Sequence, residues 1–382
     1  MGDFILNRLK NTIIKLRFAV RLQAIYQGDE IINQEWQNFL IQQGAHLQDG
    51  IVQDFGNLQT ELLAARDGTI LCDLSQFGVI RVTGEEAQKF LQSLLSNDIS
   101  LVNTKTSQLS SFSNPKGRML ATFSIWMQAS DYMLQLPRNL TPAMSKKLAM
   151  YVLRAKVKVS DASDEIVSLG IAGSKASELI LQYFNITLAQ DNTVAQHNDT
   201  SVIRIAAQRY QINTSPQQAI SIWNILANSA KAVGSGGWDW LNIRAGIPVV
   251  TPATQEQFVL QMANLDLLGG VSFKKGCFPG QEIVARTHYL GKQKKRMFLA
   301  HVDLAHVDAE NVPVAGNEVF SEEMPGQPCG MVINAGEAPG GGFDLLAVMQ
   351  ISSRESNNVN LGSLQGAKLN FLPLPYTLPT SE

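Results

Sequence analysis

Cysteine is scarce in this 382-residue chain: Cys72, Cys277 and Cys329 are the only three, far apart, with no C-x-x-C pair. That excludes a disulfide scaffold and a zinc ribbon, and it suits a reducing compartment. The five histidines lack metal-ligand spacing as well, His301 and His306 being the nearest pair, so no metal site is expected. No stretch approaches the roughly 20 apolar residues of a membrane span, and no N-terminal run reads as a signal peptide's apolar core. A soluble, cytoplasmic chain with no transmembrane span is the expectation. Charge is thin too, at 17%, and 31 Lys+Arg against 33 Asp+Glu leave −2. Attraction to a polyanion must therefore come from a local patch. What is plentiful is apolar residues, 45% of the chain, which argues against disorder and for two or three compact units.

The first residues form a pattern of their own. Leu6, Leu9, Ile13, Leu16 and Val20 recur at helical spacing, with Arg8, Lys10, Lys15, Arg17 and Arg21 between them. This predicts a basic amphipathic helix. A membrane-surface anchor and a transit peptide are its functional readings; Asp3 and the shortage of Ser weigh against the latter, and a helix packed on its own domain is the plain alternative. Residues 1–44 are set apart as an extension.

Beyond it, strands and helices interleave with hairpins. Phe77–Thr83 alternates as a strand, and Gly84 leads into a helix with Phe90, Leu91, Leu94 and Leu95 on one face. Strands follow near Leu109–Phe112, Met119–Met127 and Tyr132–Leu136, the first two joined by an Asn114–Gly117 turn. Thr141 is read as the cap of a helix with Pro142 at its first position. After a short strand at Lys156–Ser160, the style repeats through 166–295: strand Val167–Ala172, helix Lys175–Phe184, two more strands, then a helix after Ser215-Pro216. The class is α+β with antiparallel sheets. From 296 onward, short strands between Gly, Pro and Asn clusters predict a small β-barrel, closed by a Pro-rich tail.

One segment departs from the rest in charge. Between Lys274 and Arg296 seven basic residues face only Glu282, an excess of +6, so the remainder sums to −8. A solvated basic face is the plain reading, and an anion- or RNA-binding loop the functional one. Within it, Gly276-Cys277-Phe278-Pro279-Gly280 sets a thiol on a constrained loop among lysines, a setting that favours the thiolate as nucleophile or metal ligand. Cys72 and Cys329 sit in apolar strings and read as buried.

The string Lys275-Gly276-Cys277-Phe278-Pro279-Gly280-Gln281-Glu282 resembles the signature of the YgfZ family. Asn264, Leu268-Gly269-Gly270 and Ser272-Phe273-Lys274 extend the match upstream, and Ala285-Arg286-Thr287 downstream. Trp238, Leu241-Asn242-Ile243 and Ala245-Gly246-Ile247-Pro248 resemble the family's segment before it. So do Asp73-Leu74-Ser75 and the Lys116-Gly117-Arg118 turn in their order along the chain.

The resemblance implies an aminomethyltransferase-like folate-binding fold, its two parts over residues 45–165 and 166–295, with the C-terminal barrel over 296–382. It implies a tetrahydrofolate-type cofactor, a transient iron–sulfur cluster, and a role in cluster assembly or repair with tRNA thiomethylation as a consequence. The partners it implies are iron–sulfur clients such as tRNA methylthiolases, and cluster carrier proteins; direct tRNA binding is a separate alternative. Cys277 would be the functional cysteine and Trp238 a folate-contacting aromatic, with Phe77 where the family has a second tryptophan. Lys275, Gly276, Phe278, Gly280, Gln281, Glu282 and Arg286 would shape the loop. Aminomethyltransferases carry a carboxylate pair at a place where this chain has Ala121 and Thr122, which weighs against the runner-up, a folate-dependent one-carbon transferase.

Overall fold

The computed structural model describes residues 34–289, 291, 293–307 and 311–379. The expected basic helix lies outside the described residues. The end of the presumed extension is part of the body: the helix Gln34–Gln42 buries Trp36 and Leu40, and the Trp36 indole donates to Asp73 Oδ1 at 2.8 Å.

Three large sheets carry the chain. The first has six strands in the order Val194–His197, Thr200–Ala206, Arg209–Thr214, Val167–Gly173, Thr69–Asp73 and Lys231–Val233. Only its last pairing is parallel. The second is antiparallel, ordered Gln108–Ser113, Met119–Gln128, Asp131–Pro137, Phe77–Thr83 and Lys158–Asp161. The third comprises six antiparallel strands between Lys295 and Leu372, curled into a half-barrel. Thr69–Asp73 thus belongs to the same sheet as strands from 167 onward, and the chain changes sheets between Asp73 and Phe77.

Apolar periodicity explains the layers. The helix Ala87–Leu94 buries Ala87, Phe90, Leu91 and Leu94, against the second sheet's Ile80, Phe112, Phe123 and Leu134. The helix Pro216–Leu226 starts as expected: Ser215 Oγ accepts from the Gln218 amide, and Pro216 takes the first turn. Thr141 is different. It is the first residue of its helix rather than the cap, because a 3₁₀ turn at Arg138–Leu140 precedes it, and its hydroxyl donates to the Pro137 carbonyl at 3.3 Å. Cys72 and Cys329 are buried and Cys277 is exposed. Among the described residues no helix is long and apolar enough to cross a membrane, and no cluster of three potential metal ligands occurs.

Candidate functional site

The crossing between sheets builds the site. The Leu74 amide donates to the Ser168 carbonyl at 3.0 Å and the Phe77 amide to the Leu74 carbonyl at 2.9 Å. This tight turn leaves Gln76 and Phe77 at the end of the second sheet, in the wall of a cavity.

The helix Ser235–Arg244 faces them, and its seat is over-determined. A Cβ on Gly234 would lie 2.0 Å from the Gln53 carbonyl oxygen, so only glycine permits the approach. The Gly234 amide donates to Glu61 Oε2 at 2.8 Å, and Glu61 Oε1 accepts from Phe55 N at 2.7 Å and Asn57 N at 3.3 Å. Three backbone donors thereby satisfy a buried carboxylate. At the other side Trp240 Nε1 donates to Asp344 Oδ2 at 2.9 Å, fastening the helix to the third sheet.

Trp238 does its work behind this helix. Its ring packs on Gly170, where a Cβ would fall 2.5 Å away, and the Arg209 guanidinium lies 4.2 Å from its centroid. At 2% exposure it lines neither chamber of the cavity. The next residue does. Asp239 borders both chambers and accepts from Gln76 Nε2 at 3.2 Å.

The inner chamber, about 130 Å³, is walled by Phe77, Pro137, Ile243, Ile247, Val249 and Val314. The outer one, about 510 Å³, lies between the hairpin around Asp49, the first turn of the Ser235 helix and residues 335–337. Burial pushes the Asp239 carboxyl up to about 6, against the pull of the Gln76 hydrogen bond and the Arg209 charge. Burial also pulls Arg209 down to about 10. Asp239 is thus a proton acceptor poised near neutrality, the requirement for general acid–base work. Sequence reasoning missed Asp239 and Gln76; a carboxylate between two tryptophans was the available clue.

The signature loop forms a separate feature. Lys275 is 8% exposed, and its ammonium donates to the Gln92 carbonyl at 2.6 Å and to the Leu95 carbonyl. It therefore caps the C-terminus of the Ala87 helix, with the Phe278 ring centroid 5.3 Å away. Burial lowers Lys275 to about 8 while Asp98 pulls it back up. Upstream, Ser96 Oγ donates to Gly270 O and Asn97 Nδ2 to Gly269 O, both at 2.7 Å. Gly280, at φ +80°, would put a Cβ 2.4 Å from Gly117 Cα, so the loop and the Lys116-Gly117-Arg118 turn meet backbone to backbone. Cys277 and Gly276 stay exposed between these anchors, and Phe278 is buried.

Gln281 opens the helix Gln281–Tyr289, where Glu282 and Arg286 are exposed. The +6 excess is not all solvated, because Arg296 is also buried and doubly paired with Asp266 at 2.7 and 3.0 Å. No residue of 274–282 lines either chamber, so Cys277 and Phe77 do not share one cavity.

Ala121 and Thr122 are buried on the strand Met119–Gln128. Thr122 Oγ1 accepts from the Val250 amide at 3.2 Å, between Val249 and Thr251, which line the inner chamber. No acid stands there.

The family described as the GCVT N-terminal domain matches residues 52–266, more than half of the chain. The chain belongs to this family. It is 28% identical over 325 residues to the tRNA-modifying protein YgfZ of Pectobacterium carotovorum, covering 84% of this chain and 95% of that one. This agrees with the resemblance read from the Cys277 signature. The fold matches that of glycine cleavage system aminomethyltransferase T from Bartonella henselae, with a TM-score of 0.70 at 17% identity, over 88% of this chain and 96% of the other.

Proposed function

We propose that the chain binds a reduced folate in the inner chamber and that, through the exposed Cys277, it supports iron–sulfur client enzymes, with tRNA modification as the visible consequence. The observation that carries the reading is the chamber itself. Phe77 offers a ring face among apolar walls, and Gln76 Oε1, buried without a donor, stands beside the Asp239 carboxylate. A pterin's flat ring suits the first and its N–H edge suits the acceptors. Bound there, the folate supplies a one-carbon carrier. The chain's own residues hold and orient it: Phe77 by stacking, Gln76 and Asp239 by accepting hydrogen bonds. Trp238 enters as the residue that seats the helix carrying Asp239.

The relative's name, a tRNA-modifying protein, supports the tRNA side. Cys277 gives at most one ligand, so a cluster handled there as cargo needs further ligands from a carrier protein, glutathione or a second copy. The test is a deletion strain assayed for methylthiolated tRNA and for an iron–sulfur enzyme that has no tRNA substrate. Both should fall, and wild type but not Cys277→Ala should restore them; full rescue by Cys277→Ala would refute the thiol's role. Binding of tetrahydrofolate should weaken in Phe77→Ala.

Asp239 favours a second reading. A carboxyl held at about 6 beside the folate chamber is a proton acceptor that a one-carbon transferase could use in place of the acid missing at Ala121 and Thr122. Release of tetrahydrofolate from methylene-tetrahydrofolate, lost in Asp239→Asn, would decide for it.

A further inference from the structure

One surface segment sets bare cations beside bare apolar side chains. From Lys146 to Lys158 the chain carries five basic residues and no acidic one. The helix Thr141–Met150 turns Thr141, Met144 and Leu148 inward, which leaves Lys146 and Lys147 on the outer side with Met150 and Tyr151, three and four residues further on. Met150 is 70% exposed and Tyr151 45%, the latter edge-on to Phe112. Lys146, Arg154 and Lys158 are exposed and Lys147 is half-buried. These four charges have no carboxylate partner among the described residues. Lys156 is the exception: Glu85 pairs with its ammonium at 2.8 Å, and Glu86 accepts from its amide.

The turn that follows the helix projects from the body. The Ala155 amide donates to the Val152 carbonyl at 2.8 Å, so Leu153 and Arg154 form the tip, while Val152 and Val157 pack on the core of the second sheet. Leu153 sits at φ +47°, a left-handed position that suits glycine or asparagine and strains a leucine. That strain serves no packing, because the side chain is 89% exposed. An outward apolar tip among unpaired cations marks a surface that meets something else. The first residues carry the same chemistry in sequence, Leu6, Leu9, Ile13, Leu16 and Val20 among Arg8, Lys10, Lys15, Arg17 and Arg21. Neither element has a part in the folate or thiol reading.

We infer that this turn docks the protein on a membrane surface rich in anionic lipid. Leu153 and Met150 enter the boundary between headgroups and acyl chains, Tyr151 lies at the interface with its hydroxyl wet, and Lys146, Lys147, Arg154 and Lys158 meet lipid phosphates. A protein partner would need both a pocket for the convex tip and carboxylates for the cations; an anionic bilayer receives the two along its whole surface. A second copy of the chain would set like charge against like. One turn of this size binds weakly, and the basic apolar segment within residues 6–21 supplies the second contact that stable peripheral binding needs.

The probe is vesicles of phosphatidylglycerol and phosphatidylcholine in equal parts, co-sedimented with the full chain at low salt and compared with phosphatidylcholine alone. The chain should sediment with the anionic vesicles and leave them as salt rises. Leu153→Asn suits φ +47° and should unfold at no lower urea concentration than wild type, yet it should weaken vesicle binding about tenfold, the loss of one buried leucine. Arg154→Gln should weaken it about fivefold, one charge at an anionic surface. Neither residue lines the cavity, so any tetrahydrofolate binding should be unchanged in both. Wild type that does not sediment, or that sediments equally with phosphatidylcholine alone, overturns the inference. So does undiminished binding of the Leu153→Asn, Arg154→Gln double variant, which would leave the vesicles to residues 6–21. Wild type that ignores vesicles while Leu153→Asn fails to restore the deletion strain would give the turn to a protein partner instead.

Discussion

Replacing Asp239 by Asn should stabilise the protein, and by an amount that depends on pH. The carboxyl has an ordinary value of 3.8 and is raised by burial to about 6 in the folded chain. An unfolded chain gives up this proton near pH 4 and the folded one holds it until about pH 6. Between those values the native state binds more protons, so the wild type loses stability as pH rises through the window. A shift of two units is worth at most about 3 kcal/mol when fully developed. From pH 4.5, where part of the loss has already occurred, to pH 7.5, about 2 kcal/mol of it remains to be lost. Asn keeps the size and the contact to Gln76 but has no proton to lose. Urea unfolding of both proteins at the two pH values gives the comparison directly, because every other carboxylate titrates in both and cancels in the difference. The advantage of Asp239→Asn should widen with pH. An advantage equal at both values, or one that shrinks, would mean that the carboxyl is not desolvated and that its poise near neutrality is wrong.

The signature loop offers sharper contrasts. Gly280→Ala should cost about 2–4 kcal/mol in thermal or urea unfolding, because φ is +80° and the new methyl would meet Gly117 Cα at 2.4 Å; Gly276→Ala, with nothing within 4 Å, should be nearly neutral. Lys275→Met should cost about 2–3 kcal/mol by leaving the Gln92 and Leu95 carbonyls without their cationic donor, seen as a lower urea midpoint. In the native protein a thiol reagent should titrate one cysteine per chain, and none in Cys277→Ala, since Cys72 and Cys329 are buried.

Much of the fold was legible because its signals are local. Alternation marked Phe77–Thr83, one-faced spacing marked the Ala87 helix, and Ser215-Pro216 marked a helix start. Thr141 misled because a hydroxyl beside Pro142 is the usual cap pattern, and nothing nearby announces the 3₁₀ turn that takes the capping place. The cavity was not legible, since it is made by residues far apart: Gln76 meets Asp239 across 163 positions, and each reads alone as an ordinary polar residue. Charge counting failed for the same reason. Lys275 and Arg296 look like members of a basic run, and only their distant partners, the end of the Ala87 helix and Asp266, turn them inward.

The sheet register places the exposed cysteine loop and the cavity at one end of the second sheet. Phe77 pairs with Pro137 and Ser124 with Gln135, so continuing the register by two residues sets Thr122 level with Pro137 and Phe77. One strand, Asp131–Pro137, lies between Phe77 and Thr122, so two inter-strand spacings, about 10 Å, separate them. Three residues beyond Thr122 the strand reaches Met119, and just past it is the Asn114–Gly117 turn on which Gly280 rests. Thr122, where the family resemblance places an aminomethyltransferase's acid, therefore stands between the chamber lined by Phe77 and the Cys277 loop. There this chain has Thr122, whose hydroxyl receives the Val250 amide. A carboxylate in that place would be buried and would have to be neutralised or paired; a hydroxyl that caps a backbone amide needs neither. Thr122 thus joins the strand that leads to the turn supporting the loop to Val249–Thr251, of which Val249 and Thr251 line the chamber. The titratable carboxyl that borders the cavity stands elsewhere, at Asp239 on the Ser235 helix.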